Sequence, residues 1–306
     1  MVSSFPSLPL GEVPAECRAV GVGLGDTPLY RSGMQDRYVE TVLGRIRLRV
    51  DGSGPAMLFW PSLLMDGTLW SAQAAHFADR FQVILVDPPG HGGSDPLTGP
   101  FTFEQCAEVI LAIIDDLQVE QVHLIGNSWG GMIGGTFAAL HPDRIGIAVL
   151  MNATASPAGR RQKVEYGVLI RAAQLLGGMR GPLTGPVRDA FLGPTAKREK
   201  PEVVATVNEL ARKVDIRSGR HAVTSVVPQR PDQRALLGKI RTPVLVVAGA
   251  EDATFPVAET EEMADSIPGA RFVVLEQSAH LAALESPKEV NALIDDFLAD
   301  QGTTSA

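Results

Sequence analysis

Gly126-Asn127-Ser128-Trp129-Gly130 limits what this chain can become more than any other stretch. The apolar run Val122 to Ile125 precedes it and has the length of a buried strand. Small and apolar residues from Met132 to Leu140 follow, suited to a buried helix that His141-Pro142 would stop. A serine with glycine two residues to either side, between strand and helix, marks a very sharp turn that presents a nucleophile. Larger side chains at the glycine positions would collide with the turn. The helix after Ser128 points its N-terminal N–H groups at the hydroxyl, where they favour developing negative charge. The bland alternative is a glycine-rich turn with an incidental serine, and the partners of Ser128 decide between the two.

A serine hydroxyl needs a base. Six histidines are available: His76, His91, His123, His141, His221 and His280. Only His280 lies just past a late strand, in Gln277-Ser278-Ala279-His280-Leu281. His123 sits inside the strand leading to Ser128, His141 ends a helix, and His91, in a glycine-rich turn, reads as structural. The base in turn needs a carboxylate to hold its tautomer and stabilise its cation. Asp252 follows the strand Val244 to Gly249, with Glu251 as the neighbouring alternative. The corresponding place after the preceding strand holds Asn152, which cannot be an anion. The chain order is Ser128, Asp252, His280. Two backbone N–H groups are expected to hold an oxyanion: that of Trp129, directly after the nucleophile, and that of Leu63, with Ser62 and Leu64 one residue away on either side.

Apolar strands alternate with helices along most of the chain. The strands Ala56–Trp60, Val83–Asp87, Val122–Ile125, Ile147–Met151, Val244–Gly249 and Arg271–Leu275 are continuous apolar runs rather than alternating ones. That pattern belongs to a parallel sheet covered on both faces. Two alternating strands, Tyr38–Val42 and Arg45–Val50, come first. Thr102-Phe103-Glu104-Gln105 reads as a capping box, and Ser286-Pro287-Lys288-Glu289 as the cap of the last helix.

The rhythm breaks between about 155 and 235, where the composition is helical. We therefore expect a core of 37–154 and 236–306, a helical cap of 155–235, and an irregular N-terminal arm of 1–36 that would suit a partner, another copy of the chain included. The insertion holds 15 of the 27 lysines and arginines against 7 of the 35 acidic residues, a balance of +8 that leaves −16 on the rest. It should roof the site and choose the substrate, leaving the chemistry to the sheet. Leu169, Leu175, Leu176, Met179, Leu183, Phe191, Leu192 and Leu210 are its candidate apolar lining. The charge reads as a solvated basic surface or a lid pairing with the acidic body or, in the sharper version, as steering of an anionic substrate.

Over all 306 residues the net charge is −8, whereas a general nucleic-acid binder would be basic. The N-terminus shows no basic region followed by an apolar core, and no run reaches the ~18 apolar residues of a membrane span. Cys17 and Cys106 make neither a disulfide framework nor a metal cluster. We expect a cytoplasmic protein that uses no metal or cofactor and takes a small molecule, with no nucleic acid or membrane as partner.

At these residues the chain resembles the α/β-hydrolase fold family. The resemblance rests on Gly126-Asn127-Ser128-Trp129-Gly130-Gly131, Asp87-Pro88-Pro89-Gly90-His91-Gly92-Gly93-Ser94, Gly249-Ala250-Glu251-Asp252 and Ser278-Ala279-His280. Pro61-Ser62-Leu63, Arg241-Thr242-Pro243 and Ala279-His280-Leu281-Ala282 look like 3-oxoadipate enol-lactonases and related esterases. The resemblance implies a serine hydrolase that cleaves an ester or lactone. Carbon–carbon bond hydrolases of the same fold share Gly-Asn-Ser and stay open as an alternative, as does a slow-turnover ligand receptor that keeps the triad. Haloalkane dehalogenases and epoxide hydrolases use Asp where Ser128 stands, which sets them aside.

Overall fold

The structure, a computed structural model, describes residues 33–178 and 181–302. Most of the N-terminal arm, Cys17 and Met179 lie outside the described residues. One eight-stranded sheet carries everything else: β1 Gln35–Thr41, β2 Gly44–Asp51, β3 Ala56–Trp60, β4 Gln82–Val86, β5 Val122–Asn127, β6 Ile145–Met151, β7 Val244–Gly249 and β8 Arg271–Leu275. Their order across the sheet is β1-β2-β4-β3-β5-β6-β7-β8. β1 and β2 pair antiparallel, β2 meets β4 antiparallel, and every later pairing is parallel.

The helices are α1 Ser71–Phe77, α2 Phe103–Asp116, α3 Trp129–Leu140, α4 Arg160–Leu176, α5 Thr184–Phe191, α6 Pro194–Glu199, α7 Pro201–Lys213, α8 Ile216–Val226, α9 Arg234–Leu237, α10 Val257–Asp265, α11 Ala282–Glu285 and α12 Pro287–Asp300. β3, β5 and β7 are buried along their whole length. Burial on both faces is why they read as unbroken apolar runs. The sheet thus forms the floor of a site at the C-terminal ends of its central strands, where ligands of open parallel sheets bind.

The capping box at α2 is present: the Gln105 N–H donates to Thr102 Oγ1 at 3.3 Å and the Thr102 N–H to Gln105 Oε1 at 2.9 Å. Ser286 is the N-cap residue of α12 and Pro287 opens that helix, as expected, but without a side-chain capping bond. The residue is the joint between α11 and α12. Its N–H closes α11 on Ala282 O, and its own carbonyl takes the Val290 N–H.

Helices α4 to α9 lie between β6 and β7 in the chain. Serine hydroxyls stitch them to the sheet side, since Ser218 Oγ and Ser225 Oγ accept the Leu97 and Phe101 N–H groups, both at 2.8 Å. Among the described residues no helix is long and apolar enough to cross a membrane.

Candidate active site

β5 delivers Ser128 to the N-terminus of α3 in a strained conformation, φ 55° and ψ −108°. The turn is so tight that a Cβ on Gly126 would lie 2.1 Å from Gly130 O, and one on Gly130 2.1 Å from Trp60 O. Glycine at both positions is therefore a steric requirement. The Ser128 N–H donates to Met151 O at 2.8 Å, which ties the turn to β6.

The structure brings the three sequence-derived side chains together. Ser128 Oγ lies 2.8 Å from His280 Nε2, and His280 Nδ1 lies 2.9 Å from Asp252 Oδ2. All three are buried. The other Asp252 oxygen accepts the N–H groups of Thr254 at 2.8 Å and Phe255 at 3.1 Å. Glu251, the alternative acid, turns away and binds Thr195 instead, accepting its N–H at 2.9 Å and its hydroxyl at 2.5 Å.

Leu63 lines the cavity beside Ser128 and His280, and Trp129 opens α3 directly after the serine. Leu64, the alternative donor, is occupied: its N–H donates to His91 Nε2 at 3.1 Å from a backbone with φ 64°. The other ring nitrogen, Nδ1, donates to Pro89 O at 3.0 Å. The two bonds fix the tautomer of His91, and its burial lowers the imidazole pKa and keeps the ring neutral. The same ring packs 5.6 Å from Trp129. His91, expected to be structural, therefore touches both segments expected to supply the oxyanion donors.

Further polar residues went unrecognised in the sequence. Asn152, with φ 49°, donates from Nδ2 to Asp252 Oδ2 at 3.2 Å and to Ala279 O at 3.0 Å. Asn127 donates to His280 O at 2.8 Å. Glu285 Oε1 accepts the N–H groups of Ala279 and Leu281, each at 3.1 Å, so the carboxyl grips the backbone on both sides of His280. Burial raises its pKa to about 7, outweighing the N–H donors of Gly193, Leu281 and Ala279, which pull the other way. The one available signal was position: Asn and Glu directly at strand ends or beside motif residues, where side chain-to-backbone bonds brace loops.

The cavity above Ser128 has a volume of about 310 Å³, with Leu63, Met132, Phe191, Val226 and Phe255 in its walls. Of the expected lining, Leu169 and Phe191 are there. Leu175 and Leu176 are on the outer surface, 88% and 47% exposed, because they lie on the solvent side of α4. Leu183, Leu192 and Leu210 are buried among the helices rather than at the cavity wall. The inserted helices also do more than cover the site. The Phe191 ring stacks on His280, Thr254 Oγ1 donates to Ala190 O at 2.6 Å, and Gly193 and Thr195 are held by Glu285 and Glu251. The inserted helices thus touch the loops that carry Asp252 and His280 as well as lining the cavity. Among the described residues no group of three or more His, Cys, Asp or Glu side chains is placed to hold a metal ion.

The chain matches the alpha/beta hydrolase family over residues 52–293 and belongs to it. It is thus a hydrolase by fold and lineage. It is 29% identical over 245 residues to 3-oxoadipate enol-lactonase 2 of Acinetobacter baylyi, covering 79% of this chain and 87% of that one. It is 28% identical over 296 residues to the 2-hydroxy-6-oxononadienedioate/2-hydroxy-6-oxononatrienedioate hydrolase of Paraburkholderia phymatum, covering 89% and 99%. Among solved structures it resembles a thermophilic esterase from Thermogutta terrifontis, with a TM-score of 0.80, 27% identity, and 87% and 99% of the two chains covered.

Proposed function

We propose that the protein hydrolyses a carboxylic ester or lactone through an acyl-enzyme on Ser128. The observation that carries this reading is the continuous hydrogen-bonded line Ser128 Oγ, His280 Nε2, His280 Nδ1, Asp252 Oδ2 at the floor of a largely apolar cavity. His280 Nε2 takes the hydroxyl proton as Ser128 Oγ attacks the carbonyl carbon. Asp252 orients the ring and stabilises the imidazolium, with Asn152 steadying the carboxylate. The N–H groups of Trp129 and Leu63 hold the tetrahedral oxyanion. His280 then gives its proton to the leaving alkoxide, and the acyl–oxygen bond breaks. A water deprotonated by His280 opens the acyl-enzyme and returns Ser128. In a lactone the alcohol stays attached, so one hydroxy acid leaves.

Helices α4 to α9 act in this reading as a cap, which shapes the cavity and also braces the acid and base loops. The relationship to both a lactonase and a dienedioate hydrolase keeps one second reading, carbon–carbon bond hydrolysis of a diketone on the same residues.

The test is covalent labelling by a small fluorophosphonate. We expect one adduct per chain on the peptide bearing Ser128, blocked by prior Ser128→Ala substitution. Labelling elsewhere, or none, removes the nucleophile. Turnover of a dienoic diketone far faster than of any ester or lactone would move the assignment to the second reading.

A further inference from the structure

The cavity wall carries one buried cation that the acyl-transfer steps leave unused. Arg230 is 5% exposed and lines the same cavity as Ser128 and His280. Two of its nitrogens are engaged: Nε donates to Ser156 O at 2.8 Å and Nη2 to Gln162 Oε1 at 3.1 Å. Glu259 approaches Nη2 to only 3.9 Å. The third nitrogen, Nη1, is buried and has no hydrogen-bond partner among the described residues. A guanidinium presents five N–H donors, and leaving a buried charged donor unmet is costly. The group faces a mostly apolar pocket whose other polar lining is Ser128, Gln162, Glu165, Tyr166, Thr254 and His280.

Position sharpens the point. The guanidinium carbon lies 5.4 Å from the centre of the Phe255 ring, and that ring lies 5.5 Å from the His280 imidazole. Arg230 therefore stands about one aromatic ring beyond the catalytic base. Although the inserted segment is rich in basic residues, Arg230 is the only one of them among the described residues that lines this cavity. Apolar pockets with a few placed polar groups use those groups to set ligand orientation.

We propose that Arg230 is a substrate-binding residue, taking on Nη1 an acceptor oxygen, carboxylate or ketone, that the substrate carries about one ring's length from the scissile carbonyl. Gln162 holds the guanidinium plane and Phe255 spaces it from the base. The proposal rests on Ser128 being the nucleophile, and it narrows the substrate to oxygen-bearing esters or lactones rather than plain alkyl ones.

The experiment compares kcat/KM for three p-nitrophenyl esters of matched length: hexanoate, 5-oxohexanoate and the half-ester of adipate. Wild type should favour one or both oxygen-bearing esters over hexanoate by about ten-fold or more. The favoured arm tells ketone from carboxylate. In Arg230→Met that ratio should fall to about one. If Arg230→Met does not fold, Arg230→Lys decides, since it keeps a positive charge beside Glu259 but loses the planar fork; its ratio should fall at least about three-fold. A wild-type ratio near one, or a ratio unchanged in the variants, overturns the proposal while hexanoate turnover and Ser128 labelling keep the hydrolase reading intact. If wild type cleaves none of the three and Ser128 takes no fluorophosphonate, the hydrolase reading fails, and the Arg230 assignment falls with it.

Discussion

The Phe191 ring lies nearly parallel to the His280 imidazole, with centroids 5.7 Å apart and planes 21° apart. A residue from the inserted helices thus packs directly on the imidazole proposed as the base. Phe191→Ala should lower kcat for small and large esters alike, by about ten-fold, because the imidazole loses the wall that holds its rotamer. Val226→Ala, in the same cavity but away from the triad bonds, should change mainly the ratio between large and small esters, by about ten-fold. Steady-state kinetics on acetate and decanoate esters separate the two. Equal behaviour of both variants would show that the stacking does not position the base.

Asp252→Asn should keep the fold and cut the rate by about 10⁴, since the amide permits the wrong imidazole tautomer. Glu251→Gln should cost far less activity, because Glu251 is bonded to Thr195 and not to His280. The reverse ranking in kcat would transfer the acid's role to Glu251.

His91→Ala should lower kcat by about 10² with little change in KM. It frees the Leu64 N–H and Pro89 O and takes the ring from against Trp129, so both proposed oxyanion donors lose their support. The two unpaired groups should also cost about 1–3 kcal/mol each in stability. A change confined to KM would place His91 in substrate binding instead.

Glu285 gives a pH dependence with a definite sign. Its folded pKa is raised from 4.5 to about 7 by burial. The stability it contributes is therefore fully present below about 4.5 and lost as pH rises through about 7. That loss is on the order of 3 kcal/mol at about 1.4 kcal/mol per pKa unit. Urea denaturation of wild type and Glu285→Gln from pH 4.5 to 8.5 should show wild type losing more stability by about that amount. Parallel curves would mean that Glu285 ionises in the fold as it does in water.

The meeting of Ser128, His280 and Asp252 was legible because each sits in a motif whose spacing is imposed by backbone geometry, such as the steric demand at Gly126 and Gly130. The parallel strands were legible because burial on both faces leaves no room for polar alternation. Ser286 does stand at the N-cap of the last helix with Pro287 following, as read, but its side chain makes no capping bond. Leu175 and Leu176 misled because an apolar residue on a helix does not state which side faces the cavity. Asn152, Glu285 and Arg230 were invisible for a different reason. Each has a partner far away in the chain, Asp252, Gly193 and Ser156 respectively, and no local spacing records such a meeting.

The account turns on Ser128 as nucleophile. Its most direct test is kcat/KM for p-nitrophenyl acetate in wild type and Ser128→Ala, with the fold of both checked by circular dichroism. The account predicts a loss of about 10⁴- to 10⁶-fold on an unchanged fold. A folded Ser128→Ala protein that retains the wild-type rate would contradict it.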